Sequence, residues 1–356
     1  MSVNFFESIG IAGIERIHSQ MIYWILKSDV LLFSQKNKII NELFKKEQGY
    51  KNIEIVTEHK SIDILIKADN CVFIIENKLK TSEHSSQLEK YKEVMTDDEN
   101  FSGHDKYYYY LSLVNEDKTG TGWQNLSYVN FYEALRKFKF NNPNKAEQFI
   151  FNEYLVSLER LISVYGSFDL NHRAFANVFT DGSKTKDEKY KISKNYSLDQ
   201  LYVLDNQLET IFQKYFIEKV AKKLNLNGNK YKIDESNGTA LLQITFEGLN
   251  MGDATFIVGL QFQGRAVKLN CASDDYKNSK KEDLPKKICD IFEVMAECDD
   301  FRLNHSKTKA YISISEKEKM DSDLWQKPFD DICKIFNDKI KKFEPIAKKF
   351  CQSCKN

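Results

Sequence analysis

Proline is scarce, four residues in 356. With abundant Lys, Asn and Ile, this reads as the imprint of AT-rich coding rather than of a function. Net charge is missing too: 52 Lys/Arg balance 52 Asp/Glu. A protein that lives on nucleic acid usually carries a basic surplus, and none is present. The first 165 residues are even mildly acidic, 20 Lys/Arg against 23 Asp/Glu. Any grip on a polyanion has to come from a local basic patch, a bound cation or a partner. No apolar run reaches the roughly 20 residues that span a bilayer. The start, MSVNFFESIGIAGIERIHSQ, has no basic region leading into an apolar one. The expected location is the cytoplasm, with no membrane partner. A disulfide frame is not expected either, because seven cysteines, an odd number spread widely, point to reduced thiols. Cys351-x-x-Cys354 would need two more ligands to hold zinc. His305 and Cys333 could supply them only through the fold, so two free thiols is the adopted reading.

What is present is one organising stretch, Ser61–Tyr91, SIDILIKADNCVFIIENKLKTSEHSSQLEKY. It reads as strand, tight turn, strand, loop, helix. The first strand is rich in Ile and Leu but carries Asp63 in its middle. The second is a β-branched and aromatic run ending in Glu76-Asn77-Lys78. Side-chain alternation puts Val72, Ile74, Glu76 and Lys78 on one face and Cys71, Phe73, Ile75 and Asn77 on the other. The turn Ala68-Asp69-Asn70 is short enough for an antiparallel hairpin, which can bring Asp63 beside Glu76. Two carboxylates and a lysine on adjoining buried strands are costly unless something pairs them. A divalent cation that prefers hard oxygen ligands, Mg²⁺ or Mn²⁺, does so. The lysine can then orient or activate a water, and these are the parts of phosphodiester hydrolysis. The competing reading is a structural Glu–Lys pair at a strand end with an unrelated Asp.

The same stretch resembles the PD-(D/E)XK nuclease superfamily. Asp63 stands where the first motif places its aspartate, and Glu76-Asn77-Lys78 stands as the (D/E)XK element. Ile62 replaces the proline of the name, as in many members. The segment Ser82–Thr96 looks like the helix that carries a glutamine in several branches, here Gln87. Helical spacing puts Glu83, Gln87 and Tyr91 on one face. The likeness is closest to bacterial members with an ENK-type motif followed by E-x-x-x-Q-L-x-x-Y, and it covers residues 10–140 in outline. It implies an α-β-β-β-α-β core and a metal-dependent nuclease using Mg²⁺ or Mn²⁺. The implied substrate is nucleic acid, DNA ahead of RNA, in restriction, repair or defence against foreign DNA. Asp63 and Glu76 would hold the metal, helped by the Asn77 carbonyl. Lys78 would position or polarise the water, and Gln87 would support the cluster or a phosphate. Glu15, on the first helix, is carried over as a further catalytic and metal-binding carboxylate. Its alternative is a solvated glutamate favoured at a helix start by the macrodipole.

In chain order, Ile11–Lys27 and Gln35–Gln48 show helical apolar periods, the second ending near Gly49. His18 reads as a packed or hydrogen-bonded histidine. Lys51–His59 is an expected strand, with Lys60 in the turn after it. Lys106–Val114 is another strand, whose tyrosine row is part core and part available to stack bases. Leu126–Val129 reads as a short strand, and Asn130–Phe138 and Ala146–Val164 as helices. The fold class is α/β, a restriction-endonuclease-like mixed sheet flanked by helices, in a domain of residues 1–165.

Residues 166–195 read as a linker or loop, since Gly182–Lys189 has no apolar period. Tyr196–Leu226 reads as one long helix, more core than dimer seam. Strand-like runs follow at Tyr231–Asp234, Ala240–Glu247, Thr255–Gln263 and Ala266–Cys271, separated by turn signals. A helix Lys286–Cys298, a strand Ala310–Ser315 and a helix Asp323–Phe350 close the chain. Residues 196–356 are thus an expected C-terminal α+β domain without a carboxylate–lysine constellation, a nucleotide-binding Gly loop or a zinc array. Its expected task is recognition, oligomerisation as a homodimer, or docking of a partner protein. Two rival functions stand beside the nuclease. One is a nuclease-fold binding module without turnover, against which the joint presence of Asp63, Glu76 and Lys78 speaks. The other is an RNA-directed enzyme, which the same residues do not separate from a DNA-directed one, because the discriminating contact is with the 2′-hydroxyl.

Overall fold

The first sheet is built on strand β3 (Cys71–Lys78), which is buried along its whole length except at Lys78. In the computed structural model, all residues are described except 1–3, 30, 81–86, 115–121, 139–143, 180–194, 227–230, 237, 277, 298–299 and 356. The chain divides into two compact units. One comprises Met1–Leu170 and Ser197–Ile211, the other Asn171–Tyr196 and Phe212–Asn356.

In the first unit, β1 (Ile53–His59), β2 (Ile62–Ala68), β3, β4 (Asp105–Ser112) and β5 (Gln124–Ser127) lie side by side in sequence order. The pairs β1/β2 and β2/β3 are antiparallel; β3/β4 and β4/β5 are parallel. The mixed sheet expected from the sequence is therefore present. The β2–β3 hairpin closes after Ala68 pairs with Cys71, and Asp69 turns through the left-handed region at φ 49°. The Asp69 carboxylate accepts the backbone N–H groups of Lys51 and Asn52, each at 2.9 Å, which ties the turn to the start of β1.

A strand covered on both faces can be apolar on both, and β3 is so from Cys71 to Ile75. On one face Leu65, Val72 and Ile74 pack with Leu88, Tyr91 and Met95 of α4 (Gln87–Thr96), together with Tyr110 and Trp123. On the other, Phe73 stacks on Phe44 at 4.4 Å between centroids, a pair worth about 0.5–1.5 kcal/mol beyond its burial. The tyrosine row of β4 is consumed by packing. Tyr109 and Tyr110 are buried, Tyr107 stacks on Phe73 with the Lys46 ammonium over its ring, and Tyr108 leans on Trp123.

The helices show where local signals held and where they did not. A one-turn helix α1 (Phe5–Ser8) precedes α2 (Glu15–Lys27), whose Met21, Ile22, Ile25 and Leu26 are buried. Helix α3 (Phe33–Phe44) ends earlier than Gly49 suggested, at Lys45 in the left-handed conformation. Helix α5 (Tyr128–Leu135) starts at Ser127, whose hydroxyl accepts from the Asn130 N–H at 3.1 Å. Helix α6 (Lys145–Leu170) runs past Val164, held by buried Phe168, and a 3₁₀ turn follows at His172–Val178. The stretch from 166 to 178 is thus helical rather than loop. Gly182–Lys189 lies outside the described residues. Tyr196–Leu226 is two helices, α7 (Leu198–Asp205) and α8 (Glu209–Lys223), because Gln207 takes φ 56° between them. Within the first unit, Gly13 lets Asn206 come close: a Cβ there would sit 2.8 Å from the Asn206 Cβ.

The second unit carries a six-stranded sheet. Strands β6 (Tyr231–Ser236), β7 (Thr239–Met251), β8 (Ala254–Gln263), β9 (Ala266–Ser273), β10 (Phe301–His305) and β11 (Tyr311–Glu316) lie in the order β10-β11-β9-β8-β7-β6, all antiparallel. Its apolar face includes Leu242, Ile244, Val258, Leu260, Phe262, Leu269 and Ile312. Helices α9 (Lys286–Ala296) and α10 (Phe329–Lys355) belong to the same unit, and Phe336 stacks on Phe262 at 4.3 Å. Strand β10 is absent from the sequence expectation; it is a five-residue edge strand with little burial to pattern it. Helix α10 starts after Pro328 rather than at Asp323, since the residue before a proline disfavours helix. The six described cysteines are free thiols. Cys351 and Cys354 sit near Cys271 and Cys289, and burial pushes the Cys271 thiol far up. No zinc site forms around them: among the described residues, no group of three or more His, Cys, Asp or Glu could hold a metal ion. Among the described residues, too, no helix is long and apolar enough to cross a membrane.

Candidate active site

Register brings the motif residues together. Ile64 pairs with Ile75, which carries Asp63 to a position across from Glu76. Asp63 Oδ2 accepts the Asn77 backbone N–H at 2.7 Å. Glu76 is almost wholly buried, and its Oε1 meets the Lys78 ammonium at 2.6 Å. The other Glu76 oxygen, Oε2, is buried with no N–H or O–H donating to it among the described residues, and the Asp63 carboxyl lies within hydrogen-bond reach of the Glu76 carboxyl. Leaving such an oxygen unpaired costs of order 1–3 kcal/mol or more.

The electrostatics follow from the burial. Desolvation, reinforced by the Asp63 charge and opposed by Lys78, pushes the Glu76 carboxyl up to about 8. Burial raises Asp63 as well, against the pull of the Asn77 N–H and Lys78. Burial alone would lower Lys78, but the charges of Glu76, Glu15 and Asp63 outweigh it and hold the ammonium above its ordinary value. Two carboxylates and one ammonium leave one negative charge in excess, which only a proton or a cation can balance.

Glu15, at the first turn of α2, reaches the end of β3. Its Oε1 accepts the backbone N–H groups of Leu79 and Lys80, both at 2.8 Å. One carboxylate oxygen thus fixes the chain just past the motif. Asn77 points to the opposite face. Its amide donates to the Glu15 carbonyl at 2.9 Å and to Ser19 Oγ at 3.1 Å, and its Oδ1 accepts from the Tyr128 hydroxyl at 2.7 Å. Its side chain is therefore fully engaged in joining α2, β3 and α5, and only the backbone carbonyl is left as a ligand. His18, beside this joint, is a packing residue: buried, within hydrogen-bond range of the Ala12 carbonyl and the Tyr154 hydroxyl, and pushed down by burial to about 4.

Gln87 stands one hydrogen bond back from the cluster. Its amide donates to the Tyr91 hydroxyl at 2.7 Å, and that hydroxyl donates to the Ser61 carbonyl at 2.6 Å. The turn thus gripped is strained: Glu58, Lys60 and Ser61 all have positive φ, at a cost of order 1–3 kcal/mol each. Buried Asp98 holds its other side through His59 and Lys60, each at 2.9 Å. Sequence reasoning put Tyr91 on the helix face but assigned nothing to Asp98, Ser19 or Tyr128, which no local pattern marks. Glu83 lies outside the described residues.

Two adjoining carboxyls, one with an orphaned buried oxygen, suit a hard divalent cation. Asp63 and Glu76 fit that role on donor chemistry, with the charge deficit as the reason for it. Residues 3–156 match the family model of the PD-(D/E)XK nuclease superfamily. No curated protein and no solved structure matches the chain. The matched segment contains the β2–β3 hairpin, the ENK element and the Gln87 helix, so the likeness to the PD-(D/E)XK nuclease superfamily falls on the residues that build the site.

Proposed function

We propose that the first unit hydrolyses phosphodiester bonds in nucleic acid, at a site made by Asp63, Glu76 and Lys78. The observation that carries this reading is the buried, charge-deficient cluster with its orphaned Glu76 Oε2. Asp63 and Glu76 would hold Mg²⁺ or Mn²⁺, with the Asn77 backbone carbonyl as a further oxygen, while Glu15 fixes the chain just past Lys78 through the Leu79 and Lys80 N–H groups. When bound, the ion supplies Lewis acidity toward a phosphoryl oxygen and toward water. Lys78 is the residue that orients the attacking water, since its ammonium is held at the cluster by Glu76 and remains partly reachable. Gln87 and Tyr91 act behind the site by fixing the turn that carries Asp63. Asn77 sets the angle of β3 against α2, so Glu76 and Lys78 emerge on the other face.

DNA as substrate, and a place in restriction, repair or defence against foreign DNA, rest on the family likeness alone. The test is a cleavage assay on plasmid, linear duplex and RNA, with Mg²⁺, Mn²⁺ or EDTA. Metal-dependent cleavage that Lys78→Ala abolishes supports the reading. Cleavage at wild-type level by a well-folded Lys78→Ala protein overturns the role given to the lysine. Binding without turnover on every substrate overturns the enzyme itself.

A further inference from the structure

The face of the six-stranded sheet opposite its apolar one is not a plain solvated surface. It holds a cleft of about 520 Å³, within the range of small-ligand sites. Its floor is a lattice of amides. Gln243 donates to Asn270 at 3.2 Å, reaching across the β8 strand between them. The reach is possible because β8 has Gly259 at that point: a Cβ there would lie 2.3 Å from the Gln243 amide nitrogen. Gln243 Oε1 remains buried without a donor among the described residues. Beside it, Gln261 accepts from the Tyr311 hydroxyl at 3.0 Å.

One cation in this floor has no counter-charge. The Lys268 ammonium donates to Gln263 Oε1 at 2.7 Å, and no carboxylate pairs with it among the described residues. Burial, with Lys319 nearby, disfavours its charge. Three acids line the cleft: Asp234 is engaged with Lys232 at 2.9 Å and Glu235 with Lys214 at 3.2 Å, while Asp274 lies just past the end of β9, toward the Tyr276 rim and away from the Lys268 end of that strand. At the rim, Tyr276 keeps 43% of its surface exposed, with its ring against Tyr311 at 5.9 Å and the Lys309 ammonium over it.

We propose that this cleft binds a nucleotide, with Lys268 receiving the phosphate, the Gln243–Gln261–Asn270 amides reading the base edge and Tyr276 stacking at the rim. The parts match the ligand one to one. A desolvated lysine without a counter-charge calls for an anion. Amide side chains pair with the mixed donor and acceptor edges of bases. An exposed tyrosine stacks on a base of any sequence. A neutral sugar would use the amides and the ring but would leave Lys268 uncompensated. The nucleotide can be free or part of a single strand, and the experiment separates the two sources.

The full-length chain is used in EDTA, so that cleavage cannot intervene and the outcome does not depend on the nuclease reading. Calorimetry with AMP, adenosine and inorganic phosphate is run beside anisotropy with labelled 12-mer single-stranded DNA and RNA. AMP should bind more tightly than either of its halves. Equal affinity for AMP and the 12-mers identifies the free nucleotide; much tighter 12-mer binding identifies the strand. Lys268→Gln should weaken binding by roughly 10-fold or more, and Lys268→Arg should restore it. The salt slope of oligonucleotide binding should fall by about one in Lys268→Gln. Tyr276→Ala should cost roughly 5- to 100-fold. Lys341→Gln, on the exposed side of α10, should change nothing. Circular dichroism checks that each variant is folded. The proposal is overturned if folded Lys268→Gln binds as the wild type does, if a neutral oligosaccharide binds where AMP does not, or if no nucleotide binds and the face instead buries itself in a dimer.

Discussion

The two sheets of this chain carry polar side chains in opposite ways. In the five-stranded sheet, the central strand is buried on both faces, and its charged residues are confined to one end, where they are pressed against one another. In the six-stranded sheet, one face is apolar and the other displays amides, hydroxyls and lysines along several strands. The first arrangement desolvates charge, which strengthens every electrostatic interaction there and creates a deficit that a cation can fill. The second buries its Asn270 amide and disfavours the charge of Lys268 as well, but sets these groups along the lining of a cleft, where several already hydrogen-bond to one another. Desolvated charge suits bond-breaking; cleft-lining, pre-paired amides suit recognition. A chain that kept both on one sheet would have to uncover the charges to admit the ligand.

Substitution at the buried cluster should break this contrast most strongly. Lys78→Ala should lower cleavage by about 10²–10³-fold, the usual worth of one positioned donor at the reacting group. Its affinity for Mg²⁺ should hold or rise, because a neighbouring positive charge is gone. Glu76→Ala should lose both cleavage and the Mg²⁺-dependent rise in melting temperature. Cleavage assays beside melts with and without Mg²⁺ read both effects, and equal destabilisation by the two variants without a difference in metal response would make the pair purely structural.

Gly259→Ala sharpens the other side of the comparison. The added Cβ would meet the Ile244 carbonyl at 2.3 Å as well as the Gln243 amide. Backbone cannot step aside cheaply, so a loss of about 1–3 kcal/mol is expected. Denaturant unfolding should show the loss, while cleavage by the first unit is retained.

The pH response should differ in sign between two buried groups of the first unit. The Glu76 carboxyl is raised from 4.5 to about 8 in the folded chain. Its contribution is therefore full below the unfolded value and is lost as pH rises through the folded one. In EDTA, Glu76→Gln should gain stability over the wild type progressively from about pH 5 to about pH 8.5, and Mg²⁺ should reverse the order at the upper end. His18 is lowered from 6.5 to about 4, so its neutral form favours the fold above 6.5 and that benefit fades on acidification. Melts across pH test both, and a pH-independent gap between Glu76→Gln and wild type would remove the raised carboxyl.

The smallest effect is expected at Tyr91→Phe. It removes the hydroxyl that joins Gln87 to the Ser61 carbonyl and should cost about 1 kcal/mol. A several-fold drop in cleavage with unchanged Mg²⁺ affinity would mark Tyr91 as a positioning residue. Full activity would show that the strained turn holds through Asp98 alone.

Local rules were enough for the hairpin that organises the first unit. Apolar, β-branched runs made β2 and β3, a short turn set their pairing, and that pairing carries Asp63 across from Glu76. Periodicity gave the helices their existence but not their ends. Lys45 and Gln207 stop or split helices by backbone conformations that no composition signal marks. Phe168 carries α6 on past Val164, where glycine and serine suggested a loop. The partners of Asn77 could not be read along the chain at all, since Tyr128 is 51 residues away and Ser19 is 58. The same holds for the amide floor of the second sheet, where Gln243 meets Asn270 only because Gly259 lies on the strand between them. The sequence by itself determined which residues alternate, which turns close and which three charged groups share a strand end, because those depend on neighbours a few positions apart. Tertiary structure alone decided which oxygens remain unpaired and which lysine lacks a counter-charge. Hydrogen-bond satisfaction and desolvation are properties of the whole packed surroundings, not of any one segment.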